Sequence, residues 1–260
     1  MIIINVRNLF LTVFLFTFVI IFPAKGNGTK PSARVSIIID DIGYRYSDNA
    51  VLTLPGDITF AVLPHTPHGK KLAQLAHERH LDVMLHIPME AENGKLLGPG
   101  GLTTEMNEQA IRATLNEAFD EIPFAIGINN HMGSKLTKMY KPMFWTMKYL
   151  KEHNHIFVDS MTTRLSRAKD VAKILGVPTL SRQVFLDNQL SREYISKQFA
   201  QLIRIANATG SAVAIAHPHP ETIEALSELL PELTANNIQL VGISQLLNDS
   251  NLYSASISGE

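Results

Sequence analysis

Residues 35–43 read Val35-Ser36-Ile37-Ile38-Ile39-Asp40-Asp41-Ile42-Gly43. Val35–Ile39 is a β-rich apolar run without the polar alternation of a half-solvated strand, so it predicts a strand buried on both faces. Similar short runs recur at Ile58–Leu63, Asp82–Leu85, Phe124–Ile128, Ile156–Val158, Ala212–Ala216 and Gln239–Ile243. Helical patterns separate them. Leu72, Ala73, Leu75 and Ala76 form one stripe, and Ala110–Phe119, Pro142–Lys151, Ser166–Leu175, Ser191–Ala208 and Thr222–Ala235 supply the others. Pro178–Leu186 fits neither template cleanly. Buried strands alternating with helices specify an α/β fold on a parallel sheet, and seven or so such units specify a barrel or barrel-like closed sheet.

The chain has 260 residues, 45% apolar and 18% charged, which is ample for one packed domain of barrel size. Twenty-three basic and 24 acidic side chains nearly cancel, which argues against a protein whose business is wrapping nucleic acid or coating acidic lipid. There is no cysteine, so thiol catalysis, disulfides, cysteine-held zinc and iron–sulfur clusters are excluded. Leu9–Phe22 is apolar apart from two threonines, with Arg7 before it and Pro23-Ala24-Lys25-Gly26 after it. As a helix it would rise about 21 Å, short of the roughly 30 Å hydrocarbon core. Residues 1–26 therefore read as a secretory signal peptide or an uncleaved N-terminal anchor. Residues 27–34 read as a linker, 35–250 as the domain and 251–260 as a flexible tail. The domain is expected outside the cytoplasm, secreted or periplasmic in a bacterial envelope. Membrane contact is expected only through the N-terminal segment, and the sequence is silent on oligomeric state.

In parallel α/β folds, chemistry gathers where strands end and loops begin. Asp40, Asp41, His86, His131, Asp159 and His217 all fall at or just beyond predicted strand ends. Neighbouring strand residues point to opposite faces, so Asp40 and Asp41 share a site only if the strand ends there, and Gly43 lets the chain turn. Two carboxylates beside a cation can then divide labour, one as metal ligand and one as base. A helix-capping Asp pair is the plainer alternative. His86-Ile87-Pro88-Met89-Glu90 places an imidazole and a carboxylate four apart, with a proline that interrupts strand pairing. Asn129-Asn130-His131-Met132-Gly133-Ser134 has the composition of a binding loop, and His217-Pro218-His219-Pro220 is stiff. The chain has no G-x-S-x-G elbow, P-loop or dinucleotide G-x-G-x-x-G.

These segments, in this order, resemble the polysaccharide deacetylases, and closely their divergent branch, from about Val35 to Leu247. Ile37–Gly43 is similar to the family's Asp-Asp-Gly motif with Ile42 inserted. The resemblance implies that Asp40 is the catalytic base and Asp41 a metal ligand. It places His86 as a second ligand and Glu90 where the family has another histidine. Asn129–Gly133 stands where the family has an arginine-containing loop that orients the base, and His131 there supplies the third ligand. Phe157-Val158-Asp159-Ser160 resembles the fourth motif. Ala212–His217 resembles the last, whose histidine is the general acid. The family's fold is an irregular seven-stranded (β/α) barrel.

The resemblance implies a metal-dependent hydrolase that removes N-acetyl or O-acetyl groups from a polysaccharide or peptidoglycan-like glycan. Zn²⁺ or a similar divalent ion would sit on Asp41, His86 and His131. Glu90 would be a fourth ligand or stand behind the ligands, Asp159 would fix a histidine tautomer, and Asn130, Ser134 and His219 would line the site. The alternative is a non-catalytic metal- or glycan-binding module on the same barrel. No nucleic-acid partner is expected.

Overall fold

A computed structural model describes residues 33–248. The segments read as signal or anchor and as tail lie outside the described residues, as does the linker up to residue 32. Ala33 and Arg34, counted with that linker in sequence, instead begin the first strand.

Among the described residues nine strands and seven α-helices follow one another as strand–helix units. The strands are β1 (Ala33–Ile42), β2 (Thr59–Val62), β3 (Val83–Met89), β4 (Gly127–Met132), β5 (Ile156–Asp159), β6 (Thr179–Ser181), β7 (Val184–Phe185), β8 (Ser211–Ala216) and β9 (Ile238–Leu240). The helices are α1 (Gly69–Glu78), α2 (Glu108–Glu121), α3 (Tyr140–Glu152), α4 (Ala168–Leu175), α5 (Arg192–Thr209), α6 (Pro220–Leu229) and α7 (Pro231–Ala235). Local chemistry sets several boundaries. Asn107 and Ser191 cap α2 and α5 by accepting the amides of Ala110 and Tyr194. Gly210 ends α5 in a left-handed turn. The single helix expected over Thr222–Ala235 is two, because Pro231 has no N–H to continue α6.

The sheet runs β6-β5-β4-β3-β2-β1-β8-β7 with all pairings parallel, and β9 adds to the start of β1. Residues 178–186, open in sequence, explain how this curled sheet is bridged. β6 pairs β5 and β7 pairs β8, while between them Arg182 N–H donates to Asp159 O (3.0 Å) and Gln183 N–H to Val213 O (2.9 Å). One stave thus serves both edges in turn, giving seven staves plus the accessory β9. β3 runs through Pro88, which lacks an amide but still offers its carbonyl to Leu102 N–H at 2.8 Å. The last strand is shorter than the Gln239–Ile243 expected from sequence: after Leu240 the chain leaves the sheet, and Val241, Ile243 and Leu246 join an interior apolar cluster.

Strand parity positions the site. Ile37, Ile39, Leu85, Ile87, Ile128, Phe157, Ala214 and Ala216 pack with the helices in the larger core. Ile38, Met84, Val158, Val213 and Ile215 face the other way, into the smaller interior cluster. Continuing that second set by steps of two leads to Asp40, His86, Ser160 and His217, and on β4 Asn129 and His131 share their side. Register agrees, since His86 lies opposite Asn129. Gly127 begins β4 because a Cβ there would meet Ile156 O at 2.2 Å, too close for any side chain.

Candidate metal centre and active site

Asp41 and Asp159 belong to the wrong parity, and their fates differ. Asp41 has φ 59°, a left-handed conformation that aspartate tolerates better than most residues, and the turn swings its carboxylate to the interior side. Gly43 completes the turn at φ 135°, where a Cβ would lie 2.1 Å from Thr66 Oγ1. Asp159 stays on the helix side. Its carboxylate accepts Met161 N–H (2.8 Å) and the Ser166 hydroxyl (2.6 Å), so it fixes the loop after β5 and no histidine tautomer.

Asp41, His86 and His131 converge. Asp41 Oδ1 lies 2.7 Å from His131 Nδ1 and 3.1 Å from His86 Nε2, and the two nitrogens are 3.1 Å apart. Asp41 Oδ1 is buried and accepts no well-directed hydrogen bond despite those neighbours. Three lone-pair donors crowd one point, close to the roughly 3.3 Å edge of a tetrahedron with about 2.0 Å metal–ligand bonds. Two imidazoles and one carboxylate are a donor set that fits a divalent metal ion. Burial opposes the Asp41 charge, but short polar contacts with His131 and His86 overcome it and hold the carboxyl well below its usual range.

Asn129 ties the ligands to the base. Its Oδ1 faces His86 Nδ1 at 2.8 Å and its Nδ2 donates to Asp40 Oδ1 at 2.7 Å. The pairing fixes His86 as the Nδ1–H tautomer and leaves Nε2 as the donor atom. Asp40 is 3% exposed, and its Oδ2 stands 3.6 Å from His86 Nε2. Burial raises its pKa, against the pull of His86, His217 and Asn129. For His86 burial works toward the neutral form, yet the two aspartates leave its pKa raised.

His217, the residue just after β8, faces this group, its Nε2 3.8 Å from Asp41 Oδ2. Behind it stands Asp187, a residue sequence reasoning passed over. Asp187 Oδ1 meets His217 Nδ1 at 3.1 Å, and Oδ2 accepts His217 N–H (2.7 Å) and the Thr222 hydroxyl (2.9 Å). Burial acts to lower the His217 pKa, but Asp187, with help from Asp41 and Asp40, pushes it up to about 9. The missing signal was available: Asp187 directly follows the apolar Val184-Phe185-Leu186, as the other site residues follow their strands.

Arg182 is the second residue missed. No arginine occupies the β4 loop, but Arg182, at the junction of β6 and β7, donates from Nε to Ser160 O (2.7 Å) and from Nη2 to Met161 O (3.0 Å). Its guanidinium lies over the Phe185 ring at 4.8 Å, and Phe185 packs against His217. Met161 is itself left-handed at φ 52°, so Arg182 grips a strained turn on the rim.

The remaining sequence candidates are placed differently. Glu90 is no ligand. It accepts Thr104 N–H and hydroxyl (both 2.7 Å) and pairs with Lys135 at 2.5 Å, which pins the 90–104 loop to the loop after β4. Lys135 first, then Thr104, hold the Glu90 pKa down to about 2. Asn130 shapes the neighbouring turn through Met132 O (2.7 Å) and Ser160 N–H (2.9 Å). Ser134 accepts Glu92 N–H at 3.1 Å. His219 heads α6 beside His217, their rings 6.0 Å apart.

Residues 37–247 match the divergent polysaccharide deacetylase family. The chain belongs to that family. It is 38% identical over 219 residues to the uncharacterized protein YibQ of Escherichia coli K12, covering 84% of this chain and 68% of that one. A crystal structure of an uncharacterized protein from Agrobacterium tumefaciens C58 superposes with TM-score 0.80 at 24% identity, covering 86% of this chain and 92% of that one. The peptidoglycan deacetylase PdaC of Bacillus subtilis shares the fold, with TM-score 0.52 at 15% identity over 88% and 96% of the two chains. The expected barrel-type α/β architecture is therefore shown twice, by the strand pairing and by these neighbours.

Proposed function

We propose that the chain is a divalent-metal-dependent deacetylase that removes N-acetyl groups from amino sugars of a bacterial envelope polysaccharide, working outside the cytoplasm. One observation carries this reading: a buried carboxylate and an imidazole flank the same three-donor cluster, Asp40 at 3.6 Å from His86 and His217 at 3.8 Å from Asp41. Asp41, His86 and His131 would hold the ion, zinc or a similar metal. When bound, such an ion makes water acidic and offsets negative charge on the amide oxygen.

The residues then have separable tasks. Asp40, with one oxygen held by Asn129, keeps Oδ2 toward the site and takes the proton of the attacking water. His217, held by Asp187, gives a proton from Nε2 to the sugar nitrogen as the C–N bond breaks, so the amine leaves neutral. Acetate and the free amino sugar are the products. Thr222 and the His217 amide fix Asp187, which cannot rotate away from the imidazole.

Metal-loaded protein is expected to release acetate from chitooligosaccharides or peptidoglycan fragments. Asp40→Asn should abolish release while the metal stays bound. Equal turnover by wild type and Asp40→Asn would remove Asp40 as base, and glycan binding without acetate release across several metals would favour the binding-module reading.

A further inference from the structure

Single exposed apolar residues are ordinary, but their gathering at one end of a molecule is not. Among the described residues eight large apolar side chains are well exposed, and seven of them surround the barrel mouth; Ile174 on α4 is the exception. They sit on the loops that follow β1, β3, β4, β5 and β7 or at the ends those loops lead to. Four positions pair a protruding apolar group with an exposed cation: Tyr44-Arg45-Tyr46, Lys95-Leu96, Tyr140-Lys141 and Arg164-Leu165. Leu96 is 96% exposed and Leu165 69% exposed. Among the described residues Lys95, Lys141 and Arg164 make no ion pair, whereas Arg45 pairs with Asp48 at 3.4 Å and the nearby Lys135 and Lys138 are neutralised by Glu90 and Glu92.

We infer that the mouth of the barrel docks on an anionic lipid surface, with the leucine and tyrosine tips entering the interface and the neighbouring cations meeting acidic headgroups. Leucine tips have no polar edge for sugar hydroxyls but gain by leaving water for acyl chains. Cations one residue away lie at the depth of the phosphates. The tips also stand on loops spread around the ring of strands. A linear polymer crossing the mouth would meet two of them, whereas a flat surface meets them all. This adds a membrane contact beyond the N-terminal segment, carried by local apolar tips and their neighbouring cations and not by the near-neutral net charge that argued against coating acidic lipid, and it does not depend on turnover. Joined to the proposed activity, it makes a lipid-borne amino sugar the substrate presented to the site.

The chain contains no cysteine, so single labels are clean. Leu96→Cys, Leu165→Cys and Ile174→Cys variants of the full chain, each carrying the environment-sensitive fluorophore NBD, are mixed with phosphatidylethanolamine–phosphatidylglycerol vesicles. Labels at 96 and 165 are expected to brighten and shift blue, and the label at 174 to stay unchanged. The control at 174 separates docking of the mouth from tethering by the N-terminal segment. Neutralising Lys95 and Arg164 to glutamine should weaken the response about five-fold per charge, and salt should do the same. The tips lie outside the core, so these changes leave folding intact, which circular dichroism checks. No response at 96 and 165, or an equal one at 174, overturns the proposal. So does a response to soluble peptidoglycan strands but not to vesicles, which would assign the mouth to a polymer.

Discussion

Two groups at the barrel mouth are each built from one aspartate and two histidines and are opposites in chemistry. Asp41, His86 and His131 bring donor atoms within 3.1 Å of one another, and the central oxygen has no properly aimed proton to accept. Asp187, His217 and His219 also cluster, but Asp187 has already given its oxygens to an imidazole, an amide and a hydroxyl. The first set holds lone pairs with nowhere to go, which is what a cation requires. The second holds a proton in place, which is what an acid requires. Residue identity alone would equate them, and only the disposition of hydrogens separates them.

The sharpest way to break the distinction is to remove a ligand. His86→Ala or His131→Ala should reduce bound metal from stoichiometric to a trace by elemental analysis, while His219→Ala leaves it intact. Metal that survives both substitutions would mean the first cluster is misread. Next in size, His217→Ala or Asp187→Asn should lower acetate release roughly 10²–10⁴-fold with metal content unchanged. Loss of metal in Asp187→Asn would merge the two clusters into one.

Asn129 tests the link between base and ligand. Asn129→Ala strips a partner from both Asp40 and His86, and should cost about 10–100-fold in metal affinity. It should also cost on the order of 1–3 kcal/mol of stability in denaturant titrations. The smallest effect belongs to Glu90, the carboxylate that the family pattern puts among the ligands. Glu90→Gln should leave metal binding untouched and alter stability only through pH. Because the folded-state pKa is depressed to about 2, the stability Glu90 contributes is present in full above its unfolded value of 4.5 and is lost as pH falls towards 2. The gap between wild type and variant should therefore close over that window.

The fold was legible because six staves of unalternating apolar sequence, joined by helical stripes, leave few arrangements other than a curled parallel sheet; the seventh stave, β6 with β7, was not legible, and the seventh apolar run became the accessory β9. Most of the candidate site was legible for a related reason, since Asp40, His86, His131 and His217 continue the interior-facing rows of their strands. Where the reading failed, the cause was local. Asp159 lies one residue out of phase, and nothing in composition tells whether a left-handed turn will rescue such a residue, as it does Asp41. Asp187 and Arg182 lay hidden because β6 and β7 are three and two residues long, too short for a period to emerge. Glu90 stood at the expected spacing, but its partners Thr104 and Lys135 come from distant loops.

The order in which β1 finds its partners bears on how the molecule comes to exist. Ile39 pairs with Phe60 on one side and with Ala216 on the other, and Val35 with Leu240. The first strand to be synthesised therefore spends most of translation with one edge bare. Closure waits for contacts that are far apart in sequence, a topology that folds slowly. Asp40, read early by the ribosome, acquires its neighbour His217 only when nearly the whole chain has emerged.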